Sequence, residues 1–200
     1  MNRTTRTISK INLGLIILLA LAEFSCDKVD DYSKNIQTYR TEKDIWLSND
    51  FESPFLKTNT PFNRLTYFEI NKNFKIEADI LKNPEDDSLR LVTNLGETRT
   101  YFIYGLAQFK IDNEGHSLVL LDDGNNNLFV PFADETSGES TYGGGRYIET
   151  KIPSGNTITL DFNMAFNPYC AYVDGYSCPL PPKSNVIKVA IEAGEKNYTP

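Results

Sequence analysis

At 200 residues, 40% of them hydrophobic and 24% charged, the chain suits one domain with a single sizeable core. Its 27 acidic and 20 basic residues give a formal net charge of −7, and no basic stripe interrupts the acidity. That balance argues against nucleic acid and against anionic lipid headgroups as electrostatic partners.

The first ten residues carry Arg3, Arg6 and Lys10 and no acid, and an apolar run from Ile11 to Ala22 follows, interrupted by Asn12 and Gly14. This is the charged and apolar pattern of a secretory signal, too short to span a bilayer comfortably. Two cleavage readings are open. One cuts after residue 25 and places lipid on Cys26, so that a lipid anchor makes the membrane a partner. The other cuts after Ala20-Leu21-Ala22 and releases a soluble protein; Glu23 fits that reading better. Cysteine arithmetic favours the first, because lipid on Cys26 leaves Cys170 and Cys178 as a pair, with a disulfide as the default in an oxidising compartment. Residues 26–34, with Asp27, Asp30 and Asp31, read as an acidic tether. The organisation expected is a signal over 1–25, the tether over 26–34 and one domain over 35–200, anchored at the outer membrane.

Tyr32 to Asn49 has the spacing of a helix, with Ile36, Tyr39, Trp46 and Leu47 near one face and Ser33 as its N-cap. Ser53-Pro54 and Thr60-Pro61 mark an irregular link. The rhythm then changes to period two: Phe74, Ile76, Ala78 and Ile80 alternate with Lys75, Glu77 and Asp79. Further strands are expected at 89–93, 101–111 with a bulge at Gly105, 117–121, 128–132, 146–150, 157–162 and 186–193. Short strands joined by turns predict a mainly β fold, a single antiparallel β-sandwich or barrel-like domain with an N-terminal helix. The 12 Phe, 11 Tyr and one Trp suit the space between sheet faces.

The densest stretch runs from Phe129 to Asn185: LFVPFADETSGESTYGGGRYIE, then LDFNMAFNPYCAYVDGYSCPLPPKSN. It resembles the signature half of a bacterial and archaeal family catalogued as domain of unknown function 1684. Lys43-Asp44, Ser53-Pro54, Arg99 to Gly105 and Ala193-Gly194-Glu195-Lys196 extend the resemblance over roughly residues 40 to 198. Met164 and Phe166 stand where the family commonly has arginine and tyrosine. The resemblance implies a relative and no reaction.

Several motifs invite chemistry and fail a physical test. His116 stands alone in a turn, so no metal is expected. Gly138-Glu139-Ser140-Thr141-Tyr142-Gly143 puts its second glycine one place too late for a nucleophile elbow. Gly143-Gly144-Gly145 lacks the Lys-Ser/Thr of a phosphate loop and reads as a turn or bulge. The polar group with most promise is Asp134, Thr136, Arg146, Asp161, Asn163 and Asn167, with Tyr142, Tyr147, Phe166, Tyr169 and Tyr172 as nearby loop aromatics. A hairpin would bring Arg146 to Asp161 or Asn163, where a guanidinium and a carboxylate pair through two hydrogen bonds. This is either a pocket floor for a small polar or glycan-like ligand or a structural ion pair with asparagines that hold loop backbone. The readings of function are an envelope binding domain with no cofactor, a carboxylate-dependent hydrolase, and a structural lipoprotein with protein partners.

Overall fold

The computed structural model describes residues 30–83, 85 and 87–200. The signal and residues 26–29 of the tether, Cys26 included, lie outside these residues. Helix α1 spans Asp31–Asn49. It begins inside the stretch read as tether and places Ser33 in its first turn rather than at the cap. Ile36 and Leu47 are buried as their spacing predicts, and Arg40 is buried beside them. A second, single-turn helix, α2, spans Pro54–Lys57. Its Pro54 has the preset φ of a first helical position, and the Ser53 hydroxyl accepts from the Phe55 N–H at 3.2 Å. Leu47 and Phe55 close a small cluster with Leu65, Tyr172 and Val173, which ties the helical end of the chain to a late loop.

Seven strands follow: β1 (Lys75–Lys82), β2 (Ser88–Val92), β3 (Thr98–Ile111), β4 (Glu114–Asp122), β5 (Asn127–Phe132), β6 (Arg146–Lys151) and β7 (Thr157–Asp161). They form one antiparallel sheet in the order β6-β5-β4-β3-β1-β7, with β2 also on β3. The sheet curls into a nearly closed barrel-like form whose end strands β6 and β7 touch without a ladder. The expected fold class is therefore found. β1 buries Ile76, Ala78 and Ile80 and exposes the residues between them. Leu118, Leu120, Leu128, Val130, Ile158 and Leu160 fill the same interior. Val119, Leu121 and Phe129 are buried too, on the opposite face, where they pack with Leu91 and Tyr147. β4 and β5 are thus covered on both sides, which explains their unbroken apolar runs.

Two local devices shape the sheet. Gly105 sits at a register shift between β3 and β4, and a Cβ there would stand 2.6 Å from the Leu81 carbonyl oxygen; only glycine allows β1 to come that close at the bulge. β4 and β5 pair only at Leu121–Phe129 and Asp122–Leu128 before they diverge. The buried Asn185 side chain fills the gap. It accepts from the Val119 N–H at 2.7 Å and donates to the Val119 and Pro131 carbonyls at 3.1 and 2.8 Å, so no backbone group is orphaned.

One expected strand is corrected. Val186 to Ala193 is irregular, with a bend at Lys188 and Val189, and makes only an isolated bridge from Val186 to Ala133. The carbonyls of Ile191 and Ala193 are taken by the Arg146 guanidinium instead of a neighbouring strand. Among the described residues no helix is long and apolar enough to cross a membrane.

Candidate functional site

The residues singled out in the sequence separate into distinct networks. Arg146 opens β6 opposite Phe132 and is fully buried. Its Nη2 donates to Asp134 Oδ2 at 2.9 Å and to the Ile191 carbonyl at 2.9 Å, and its Nη1 donates to the carbonyls of Glu195, at 3.2 Å, and Ala193. Asp134 Oδ1 accepts from the Thr136 N–H at 2.8 Å and hydroxyl at 2.6 Å, and Thr136 in turn meets Thr141 at 2.9 Å. The partner of Arg146 is therefore Asp134 and not Asp161. The expected hairpin does not form, because β6 ladders with β5 while β7 ladders with β1 at the other end of the sheet order. Gly145, just before Arg146, has φ +84° and no room for a Cβ against the Phe132 carbonyl oxygen. The glycine run is a turn that delivers Arg146 to its pocket.

Asp161 and Asn163 form a second network. The Tyr32 hydroxyl donates to the Asp161 carboxylate at 2.9 and 3.0 Å. Burial, and then the bond to Asp161, push the Tyr32 phenol up. Asn163 accepts from the Asn71 N–H and donates to the Asn71 carbonyl, both at 2.8 Å. Asn167 belongs to a third network. Its N–H donates to Glu195 Oε2 at 2.9 Å and its side chain to the Lys196 carbonyl at 2.8 Å. Glu195, 1% exposed, also accepts from the Tyr172 hydroxyl and from Lys43 Nζ at 2.5 Å. Tyr142 meets Cys170 Sγ at 3.7 Å. Arg146, Asn163 and Asn167 spend hydrogen bonds on loop backbone, in the manner of the structural alternative stated above.

Cys170 and Cys178 are two thiols in contact, with the Cys170 N–H 3.3 Å from Cys178 Sγ. The hydrogen bond between the thiols pushes Cys170 up and draws Cys178 down.

A ring-lined concave site lies elsewhere, where the loop from Phe166 to Pro179 crosses the outer face of β3, β5 and β6. It is a cleft of about 600 Å³. Its floor is a run of rings: Tyr101 against Phe129 at 5.4 Å, Phe129 against Tyr147 at 4.7 Å, and Tyr147 against Phe166 at 5.9 Å. The loop adds Tyr169 and Tyr176, edge to face at 5.3 Å, and Trp46 of α1 stacks on Tyr169 at 6.3 Å. Each such pair contributes roughly 0.5–1.5 kcal/mol beyond burial, so the wall is ordered without a ligand. The Tyr147 hydroxyl pins the loop by donating to the Pro179 carbonyl at 2.7 Å.

Polar groups enter this ring-lined space at Arg99, Asp123 and Glu149. Arg99 donates to the Ser177 carbonyl at 2.7 Å. Asp123 is held down first by the Asn125 N–H, at 2.7 Å, and by Asn127. Glu149 is exposed along β6, yet the surrounding protein and then the charge of Asp123 push its carboxyl above the ordinary range, with Lys43 opposing. Sequence reasoning named Phe166 and Tyr169 as loop aromatics but passed over Glu149, Asp123 and Arg99. Glu149 carries a signal only in retrospect: it is the acid between Ile148 and Thr150 on a strand that is otherwise buried at its start.

Two comparisons locate the chain among known proteins. It is similar over 83% of its length to an uncharacterized protein of Haloarcula marismortui solved by solution NMR, 94% of which is covered, with 35% identity and a TM-score of 0.64. No curated protein matches. A family model described as a protein of unknown function, DUF1684, matches residues 60–196. Its span takes in every strand of the barrel, the Arg146 network and the ring-lined cleft, and the chain belongs to this family.

Proposed function

We propose that this chain is an envelope-anchored, non-catalytic domain that binds a small polar organic ligand in the cleft beside Glu149 and Tyr169. The observation that carries this reading is the pairing of ordered ring faces with polar groups in one concavity. Rings take the CH faces of a ligand such as a sugar, while carboxylates and a guanidinium take its hydroxyls. The hydrolase alternative has less support. Asp134 and Asp161, the carboxylates the sequence offered as a pair, sit in separate networks, and Asp134 is engaged by Arg146 and Thr136.

An NMR titration of the purified chain with small glycans and polar metabolites tests the reading. Shifts should centre on Tyr101, Tyr169 and Tyr176, and Tyr169→Ala should weaken binding roughly 10-fold. If no compound moves these residues, the reading falls; stable cross-links to an envelope protein in cells would favour an assembly role instead.

The anchor is supported by the pattern around Cys26, and a disulfide by the contact between Cys170 and Cys178. Closing their loop would contribute about 2.5 kcal/mol in the chain-entropy model. The intact mass of protein extracted from the envelope should show acyl chains on Cys26 and the loss of two hydrogens at the cysteine pair. A mass without either change would remove the corresponding claim.

A further inference from the structure

We propose that the ligand of this cleft carries an organic ammonium group, held by Glu149 and Asp123 against the ring faces of Tyr101 and Tyr169. The inference rests on the reading of the cleft as a binding site and names the chemistry it selects. Glu149 accepts no hydrogen bond and pairs with no cation among the described residues. Asp123 forms no ion pair there either, and its hydrogen bonds come from Asn125 and Asn127. Two carboxylates therefore line one cleft with no cation bonded to either among the described residues; Lys43 and Lys151 act on them only from a distance. A neutral ligand would strip water from both and return no charge, which costs free energy. A hard metal ion needs six or more oxygen ligands, and rings supply none. An alkylammonium meets both needs, because its charge faces the carboxylates and its methyl or methylene groups lie on the π faces.

The fold already uses this contact next door. Lys43 Nζ stands 4.4 Å from the centre of the Phe166 ring, on a wall of the same cleft, and is neutralised by Glu195. Arg99 is the one cation among the described lining residues, and it is engaged by the Ser177 carbonyl. The acidic surface of the whole chain, with net charge −7, raises the local concentration of cations and opposes anions.

The proton balance follows. The groups acting on Glu149 are Asp123 from the β4–β5 turn, Lys43 and Tyr39 from α1, and Tyr169 from the loop. Glu149 binds the cation only when ionised, so affinity should fall as pH drops, beginning above the range of an ordinary glutamate. The same raised carboxyl binds more protons folded than unfolded. Its contribution to stability is therefore present below the unfolded value and is lost as pH rises through the raised folded one. Glu149→Gln should keep the fold and show no such loss.

The test compares choline and tetramethylammonium with 3,3-dimethylbutan-1-ol, which has the shape of choline without the charge, and with a neutral disaccharide. NMR shifts at Tyr101, Tyr169 and Glu149 report the site. The cations should bind at least about 10-fold tighter than the neutral alcohol, and Glu149→Gln should erase that preference. If the alcohol or the sugar binds in the cleft as well as the cations do, the ammonium inference is overturned and the cleft reading stands. If cations shift only residues outside the cleft, the inference is overturned. If none of the four probes moves the cleft, both readings fall.

Discussion

Arg146→Met should destabilise the domain by about 3–5 kcal/mol, the cost of leaving one member of a buried ion pair behind. The argument rests on what the guanidinium touches. It is wholly buried and binds the Asp134 carboxylate and three main-chain carbonyls. The substitution leaves an uncompensated carboxylate, whose side chain is fully buried, and removes the donors of a segment that has no strand partner. In a chain of this size the melting temperature should fall on the order of 10 °C. Urea denaturation at neutral pH measures the loss. The double variant Arg146→Met/Asp134→Leu should recover part of it, since no charge is then stranded. A loss under about 1 kcal/mol would show that Arg146 does not organise the fold.

Glu195→Ala should have a comparable effect, again about 3–5 kcal/mol. Three donors converge on this carboxylate: Lys43 from α1, the Tyr172 hydroxyl, and the Asn167 N–H. Its removal opens a cavity and leaves a nearly buried ammonium against the Phe166 and Tyr172 rings. Lys43→Met in a double-mutant cycle isolates the ionic part, and a coupling well above 0.5 kcal/mol is expected for groups in one network. A coupling near zero would mean that Glu195 acts only through Tyr172 and Asn167. Because Lys43 packs on the Phe166 ring that lines the cleft, Glu195→Ala should disturb Phe166 as well as stability.

Much of the fold was legible because period two survives in most strands. Ile76, Ala78 and Ile80 face inward as written, and Gly105 marks the bulge. The error at 186–193 has a physical origin: an apolar, β-branched run looks the same whether its carbonyls are bound by a strand or by an arginine. The site was less legible. Consecutive strands usually pair, and that rule placed Arg146 beside Asp161; here β6 pairs with β5 and β7 with β1, so the two stand at opposite ends of the ladder. Glu195 and Lys43 meet across 152 positions, a contact that spacing cannot reveal. Of the cleft rings, Tyr147, Phe166 and Tyr169 were noticed as loop aromatics, but the acid beside them, Glu149, sits on a strand whose pattern suggested only an outward-facing side chain.

The clasp between Arg146 and the carbonyls of residues 191–195 also sets an order of events. A nascent chain that has made β6 but not residue 195 holds a guanidinium with nowhere dry to go, and the seam beside it stays unsealed. The clasp can therefore close only once the chain has been made through residue 195.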